Sequence, residues 1–307
     1  MIPIIIGVSF LIYFLMDIAP GDIVLLKMGD NNMTAEQIEA LYEQYGLNQP
    51  LPVRYLKYMG RLLQGDLGIS QATGEPVMDM FMARIGSTAR LAIASVLVSI
   101  IISIPLGIIS AVHDGTVIDN VASFGTLLGL SIPNFWLGLV LIIVFSLKLG
   151  WLPSNGDDGT IKSLILPAIT IGTSLTAALG RTTRSSMLDV IHQDYLRTVR
   201  AKGASEKIVI WKHALKNAMI PILTVAGEQF AGVLGGSALT ETVFAWPGTG
   251  RLLIDSINGR DVTTVTGLLI LKTLIGSVII LIVDLLYAAV DPRVRARFAN
   301  SGRRKKK

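Results

Sequence analysis

Few side chains in this sequence have a type and spacing suited to chemistry, and those few are ionisable groups set in apolar stretches. Glu228 lies in the run 218–239, and Lys272 and Asp284 lie in the run 267–290. A charge inside a bilayer-length apolar run is costly to bury, so such residues are functional candidates by default. Glu228 and Lys272 are candidates for a translocation path or for binding the charged ends of a solute; a structural salt bridge is the plain alternative. Lys272 sits near one end of its run and can snorkel. Asp284 sits near the other end, where the cost falls and a structural place suffices. Catalytic patterns are missing. The absence of cysteine excludes disulfides, thiolate metal sites and a cysteine nucleophile. His113, His192 and His213 do not pair at metal-ligand spacing, no GxSxG occurs, and no GxxxxGK[ST] is present to cradle nucleotide phosphates. A transport or binding role is expected rather than an enzyme, with no metal, no cofactor in this chain and no nucleic-acid partner.

The elements that must position these residues follow from composition. The 307 residues are 51% hydrophobic and 16% charged, against about a quarter charged in soluble domains. Six apolar runs occur, at 2–19, 89–112, 121–147, 164–180, 218–239 and 267–290. Each is long enough to cross a bilayer core as helix, whereas a β-barrel would show short alternating segments. The fold class is therefore an all-α polytopic membrane protein with six transmembrane helices and a long outer loop after the first. Pro105 and Pro133 are expected to kink the second and third helices. Thr170, Thr173, Ser174 and Thr176 in the fourth suit close helix contacts or a polar lumen, and Trp151 is expected at a membrane interface.

The expected domain order is a first helix at 1–20, an extracytoplasmic helical cap at 21–88, a five-helix core at 89–290 and a basic tail at 291–307. The first run has no basic flank and no cleavage site after it, so it reads as a helix stopped by Ala-Pro-Gly-Asp at 19–22 rather than a signal peptide. The true start is expected upstream of Met1. In the cap, Thr34 and Gln37 fit a capping box. Ile38, Leu41, Tyr42 and Tyr45 then share a helix face, with Gly46 as the stop. Pro52 opens a second amphipathic helix, with Val53, Leu56, Met59, Leu62 and Leu63 on one side, and residues 64–70 end it, so that the cap is expected to lie on one membrane face.

Orientation follows from Lys and Arg. Loop 181–217 and the tail carry eight each, loops 148–163 and 240–263 two each, and the long first loop five against eight acidic residues. Basic loops stay in the cytoplasm, which puts both termini inside. The short loop 113–120 has neither Lys nor Arg and is neutral on the question.

The basic loop 185–217 is the long polar interruption of the second half. Residues 181–202 can continue the fourth span as helix, Gly203 breaks it, and residues 205–216 can form a second short helix with Ser205 as a weak cap. Two short helices meeting at a glycine make a knuckle whose basic, apolar and aromatic side chains suit docking into a partner's groove. A solvated basic loop is the plainer reading.

The stretch DYLRTVRAKG followed by HALKNAMIP resembles the coupling loop of ABC importer permeases of the oligopeptide, dipeptide and nickel type. The general form of that loop has a Glu-Ala-Ala triplet; here Arg197-Thr198-Val199 stands in its place, which is similar to the peptide branch. LPVRYLKYMGRLLQGDLGIS, IPLGIISA, LSIPNFWLG, LGWLP, ETVFAWPGTGRLL and DLLYAAVDPRVR resemble the first of that branch's two paired permeases, so the likeness covers nearly the whole chain. The resemblance implies a type I importer fold in a bacterial or archaeal inner membrane. It implies coupling through Asp194, Tyr195, Arg200, Ala201, Lys202, Gly203 and Ala204 to two ATPase subunits that bind ATP and Mg. It further implies a second homologous permease subunit and an extracytoplasmic substrate-binding protein. Phe244, Trp246, Pro247 and Gly248 would belong to the outer mouth, although an interfacial aromatic belt also accounts for Trp246. The solute would be a dipeptide, oligopeptide, nickel chelate or glutathione. The rival is an ion-gradient-driven transporter or channel, which predicts inverted repeats around a charged midplane site; no repeat is visible.

Overall fold

The computed structural model describes residues 2–18, 23–24 and 34–290. The predicted stop at 19–22, the basic tail from 291, Met1 and the side chain of Asp284 lie outside the described residues. The helices run in order α1 (Ile2–Ile18), α2 (Ala35–Gln44), α3 (Leu51–Leu62), α4 (Val77–Val112), α5 (Val117–Ser131), α6 (Asn134–Lys148), α7 (Ile161–Ile191), α8 (Asp194–Ala201), α9 (Glu206–Gly236), α10 (Ala238–Val243), α11 (Thr249–Asn258) and α12 (Val262–Val290). The only β feature among the described residues is an isolated bridge between Ile69 and Pro76. Four helices, α4, α7, α9 and α12, are long and apolar enough to cross a membrane, and α1 and α6 are shorter apolar helices.

The chain folds as two compact units, Met1–Ala89 with Gly235–Ile275, and Arg90–Leu234 with Gly276–Lys307. In the first unit the capping box forms as expected. Thr34 N donates to Gln37 Oε1 at 2.9 Å and Gln37 N to Thr34 Oγ1 at 3.4 Å, and Ile38, Leu41, Tyr42 and Tyr45 are half-buried on one face of α2. Helix α3 starts with Pro52 in its first turn, where a missing N–H costs nothing. Its packed face takes in Met59 and Leu62 of that apolar side together with two tyrosines. Tyr55, Tyr58, Met59 and Leu62, at i, i+3, i+4 and i+7, turn inward, while Val53, Leu56 and Leu63 are exposed. The reason is aromatic packing on α1: the Tyr13 ring lies 5.3 Å from that of Tyr58, and Phe10 meets Tyr55 edge-on at 5.5 Å. A second cluster joins Met80 and Phe81 of α4 to Leu252 of α11 and Leu268 of α12.

In the second unit α7 is the central element. Thr170, Thr173, Thr176 and Thr183 each donate to the carbonyl four residues back, at 2.7–2.9 Å. Their polarity is thus satisfied within α7, and their small size admits neighbouring helices. Gly129 of α5 meets the Thr173 backbone so closely that any side chain there would collide. Close helix contact, rather than a polar lumen, accounts for these residues in this conformation.

Three expectations are corrected here. Pro133 does not kink a continuous helix. It breaks it, with Ile132 and Pro133 extended between α5 and α6, because proline also forces its predecessor out of helical geometry. Helix α4 begins at Val77, ahead of its apolar run, and holds Pro105 inside it. The extension of the fourth span ends at Ile191, short of Gly203.

Candidate functional site

The break after Ile191 is supported by local side chains. Gln193 Nε2 donates to the Asp189 carbonyl at 3.2 Å and a His192 ring nitrogen pairs with the Leu188 carbonyl at 3.4 Å. These polar groups replace backbone donors that the last turn of α7 lacks. Gln193 is extended, and α8 restarts at Asp194. The redirection puts Leu196 fully inside the apolar cluster of this unit, together with Met187 and Val190 of α7, Val209 and Ile210 of α9, and Ile108 and Ala111 of α4.

Gly203 ends α8 with φ +80°. Its N–H donates to the Arg200 carbonyl at 2.9 Å, and the Ala204 N–H reaches the Val199 carbonyl at 3.5 Å. This pair of bonds is the Schellman arrangement, which requires a left-handed residue at the glycine position. The expected separate helix over 205–216 is instead the start of α9, continuous to Gly236, with π-helical turns at Val209–Ala214. Ser205 precedes it without a side-chain cap bond. The π segment turns Val209, Ile210 and Ala214 inward and leaves Ile208 (47% exposed) and Trp211 (44%) outside.

The loop's predicted residues are therefore brought together, with different tasks. Tyr195 ties its two arms: Asn217 Nδ2 donates to the Tyr195 hydroxyl at 2.7 Å, and that hydroxyl donates to the His213 carbonyl at 3.4 Å. Arg200 bonds Glu206 across the turn. Asp194, Ala201, Lys202 and Gly203 are exposed and Ala204 is half-buried. Glu228 is exposed, eight residues before the end of α9, and makes no hydrogen bond or ion pair among the described residues. Its neighbour Gln229 instead donates to the Leu175 carbonyl at 2.8 Å.

The turn at 244–250 belongs to the first unit. Phe244 and Trp246 are buried, the latter at 1% exposure, so Trp246 is not an interfacial belt residue. Its indole N–H donates to the Ser87 carbonyl at 3.0 Å. Gly248 is buried and Pro247 is exposed. The turn closes on Glu241, fully buried, which accepts from the hydroxyls of Thr88 and Ser237 and from the Arg251 N–H. Lys272 of α12 is also buried, at 5% exposure, with its ammonium unpartnered among the described residues and Glu241 as the acidic group whose field it feels.

Residues 103–296 match the family model described as "Binding-protein-dependent transport system inner membrane component", and residues 1–92 match the N-terminal model of the same system. The chain belongs to this family. The chain is 42% identical over 303 residues to the oligopeptide transport system permease protein AppB of Bacillus subtilis, covering 95% of this chain and 96% of that one. It is 40% identical to the dipeptide transport system permease protein DppB of Alkalihalophilus pseudofirmus, covering 96% of each. It is 42% identical to the glutathione transport system permease protein GsiC of Escherichia coli, again covering 96% of each. A chain of the MetNI methionine ABC transporter, solved in inward-facing conformations, shares the fold with a TM-score of 0.60 at 20% identity, over 71% of this chain and 99% of that one.

The loop was legible in the sequence through its glycine and its charges; Glu241 and Asp261 were not. Asp261 accepts from Ser70 Oγ at 2.5 Å and from Thr264 Oγ1 at 2.6 Å, clamping the cap turn to the start of α12. A carboxylate between Thr240 and Thr242, or between Arg260 and Val262, gives no sign of burial by its immediate neighbours. The one available signal was the clustering of Ser and Thr around each of the two acids.

Proposed function

We propose that this chain is the membrane permease subunit of an ATP-driven importer for short peptides or a chemically related solute such as glutathione or a nickel chelate. ATP and Mg are bound and ATP is hydrolysed on two separate ATPase chains. A second homologous permease completes the pore, and an extracytoplasmic binding protein delivers the solute. The chain crosses the inner membrane six times, with both termini in the cytoplasm. The family supports the transport role, and the names of the relatives support the solute class.

The observation that carries the coupling reading is the loop 185–217. Leu196, Val209 and Ile210 root it in the apolar cluster of its unit, and Tyr195 and Gly203 fix its shape. Lys202, Ile208 and Trp211 remain exposed, a basic and apolar surface suited to a protein groove. A loop that only obeyed the positive-inside rule would need charge but no such rooting. Asp194, Tyr195, Arg200, Ala201, Lys202, Gly203 and Ala204 form this docking knuckle. The rest of the chain has matching tasks. Glu228, an exposed carboxylate on a spanning helix, is costly against lipid and so belongs on the aqueous path. Lys272 would join that path on rearrangement of its unit. Pro247 and Gly248, held from behind by Phe244 and Trp246, contribute to the outer mouth. ATP binding draws the two docked loops together and opens the pore outward, because the two states of the ATPase dimer bind the loops differently.

The test is uptake of labelled di- and tripeptides by membranes bearing the whole importer. Uptake should stop when ATP is exhausted while the membrane potential is kept. Uptake that continues under those conditions identifies an ion-gradient-driven transporter instead.

A further inference from the structure

One charged fork joins the cytoplasmic part of α7 to the corner between α4 and α5. Arg184 Nε donates to Asp119 Oδ1 at 2.9 Å and Arg184 Nη2 to Asp119 Oδ2 at 2.7 Å. The same Nη2 reaches Asp114 Oδ1 at 2.5 Å. Asp119 accepts further bonds from the Ser110 hydroxyl of α4, from Ser123 Oγ at 3.2 Å and from the Gly115 N–H at 3.0 Å. Three consecutive pieces of chain, the end of α4, the turn and the start of α5, therefore converge on one carboxylate, and α7 supplies its counter-ion. The side chain of Asp119 is 7% exposed and that of Arg184 31%. The Arg184 bonds, aided by Ser110, hold the Asp119 carboxyl well below the usual carboxylate range, so the pair is ionised at any physiological pH.

Stability alone is a poor reason for such a pair. Well-packed apolar residues of similar volume do as well or better than a buried ion pair. What a two-pronged guanidinium–carboxylate bond adds is a fixed direction and register. Its position gives that rigidity a use. Beyond Arg184, α7 runs to Ile191 and the chain enters the loop at Asp194. Ile108 and Ala111 of α4, Met187 and Val190 of α7, and Leu196 and Val209 of the loop share one apolar cluster. Apolar side chains can slide past one another, whereas the fork cannot without breaking.

We propose that Asp119 and Arg184 are positioning residues for coupling. They form a strut that locks the loop end of α7 to the α4–α5 corner, so that a displacement of the loop moves α4 and α5 together with α7. This rests on the reading of 185–217 as the coupling loop.

The experiment uses the whole importer in proteoliposomes, with ATP hydrolysis and uptake measured together. Labelled dialanine, trialanine and glutathione serve as probes, scored on whichever the wild type takes up best. Asp119→Asn and Arg184→Gln should each assemble and hydrolyse ATP within about twofold of wild type, while uptake per ATP falls at least fivefold. The double variant should fall no further than the worse single one, because both remove the same strut. Uptake per ATP within twofold of wild type in both single variants overturns the proposal, as does a double variant that multiplies the two losses. Should neither single variant assemble, Arg184→Lys is read instead, since it keeps the charge and loses the fork; a threefold fall supports the strut and an unchanged ratio overturns it. Failure of the importer reading itself shows separately, as wild-type uptake that ignores ATP depletion.

Discussion

Arg200 Nε donates to Glu206 Oε1 at 2.7 Å, and Arg200 Nη2 to Glu206 Oε2 at 3.4 Å, across the turn at Gly203. The arginine stands at the C-terminal end of α8 and the glutamate at the N-terminal start of α9. Each therefore also complements the dipole of its own helix. With Glu206 two-thirds exposed, the pair contributes at most about 1 kcal/mol. The shape of the turn rests on Gly203.

Gly203→Pro should abolish uptake and leave the complex assembled. Proline is held near φ −65°, whereas this position needs +80°, and proline also removes the N–H that donates to the Arg200 carbonyl. Gly203→Ala meets open space and costs only about 1–2 kcal/mol of backbone strain, so it should keep much of the activity. Co-purification of the subunits and uptake rates check both. Wild-type uptake in the proline variant would remove the turn from the coupling mechanism.

Glu228→Gln should lower peptide uptake at least fivefold without loss of assembly, and Glu228→Asp should lie between. The carboxylate has no partner among the described residues that its loss would strand, so stability should change little. Equal uptake by Glu228→Gln and wild type would place the residue off the path. The comparison is best made with peptides carrying free and blocked amino termini, since a carboxylate on the path should favour the free amine.

What could be read from the sequence was whatever periodicity and punctuation encode. Apolar length located the four helices that are long and apolar enough to cross a membrane, the Thr34–Gln37 pair marked the start of α2, and Gly203 marked the turn. Ends set by side chains competing for carbonyls escaped, as at His192 and Gln193, because nothing in the spacing distinguishes them from continued helix. The packed face of α3 also takes in Tyr55 and Tyr58, whose rings find aromatic partners on α1 far away in sequence. For Trp246 the sequence leaves an interfacial belt and an outer mouth both open; its indole N–H donates to the carbonyl of Ser87, a long-range contact with no local trace.

Tyr58→Phe should be neutral or slightly stabilising. The ring is fully buried, yet its hydroxyl has no hydrogen-bond partner among the described residues, and burial pushes the phenol's pKa up. Removing an unsatisfied buried hydroxyl relieves a desolvation cost of about 1–3 kcal/mol. Tyr58→Ala should cost about 3–5 kcal/mol, because it opens a cavity against Tyr13 and Ile270. Thermal unfolding of the detergent-purified complex distinguishes the two. A phenylalanine variant as unstable as the alanine one would mean that the hydroxyl is engaged.

Thr88→Val should destabilise the turn at 244–250 although it preserves side-chain shape. Thr88 Oγ1 accepts from the Thr249 N–H at 2.8 Å and lies 3.3 Å from both Glu241 Oε1 and Thr249 Oγ1. Valine leaves a buried N–H unpaired and takes a donor from a buried carboxylate, and each loss costs about 1–3 kcal/mol. Thr88→Ser keeps the hydroxyl and should restore most of the stability. The melting temperatures should therefore rank wild type, then Thr88→Ser, then Thr88→Val. A valine variant that melts with the wild type would show that Glu241 and Thr249 hold the turn without Thr88.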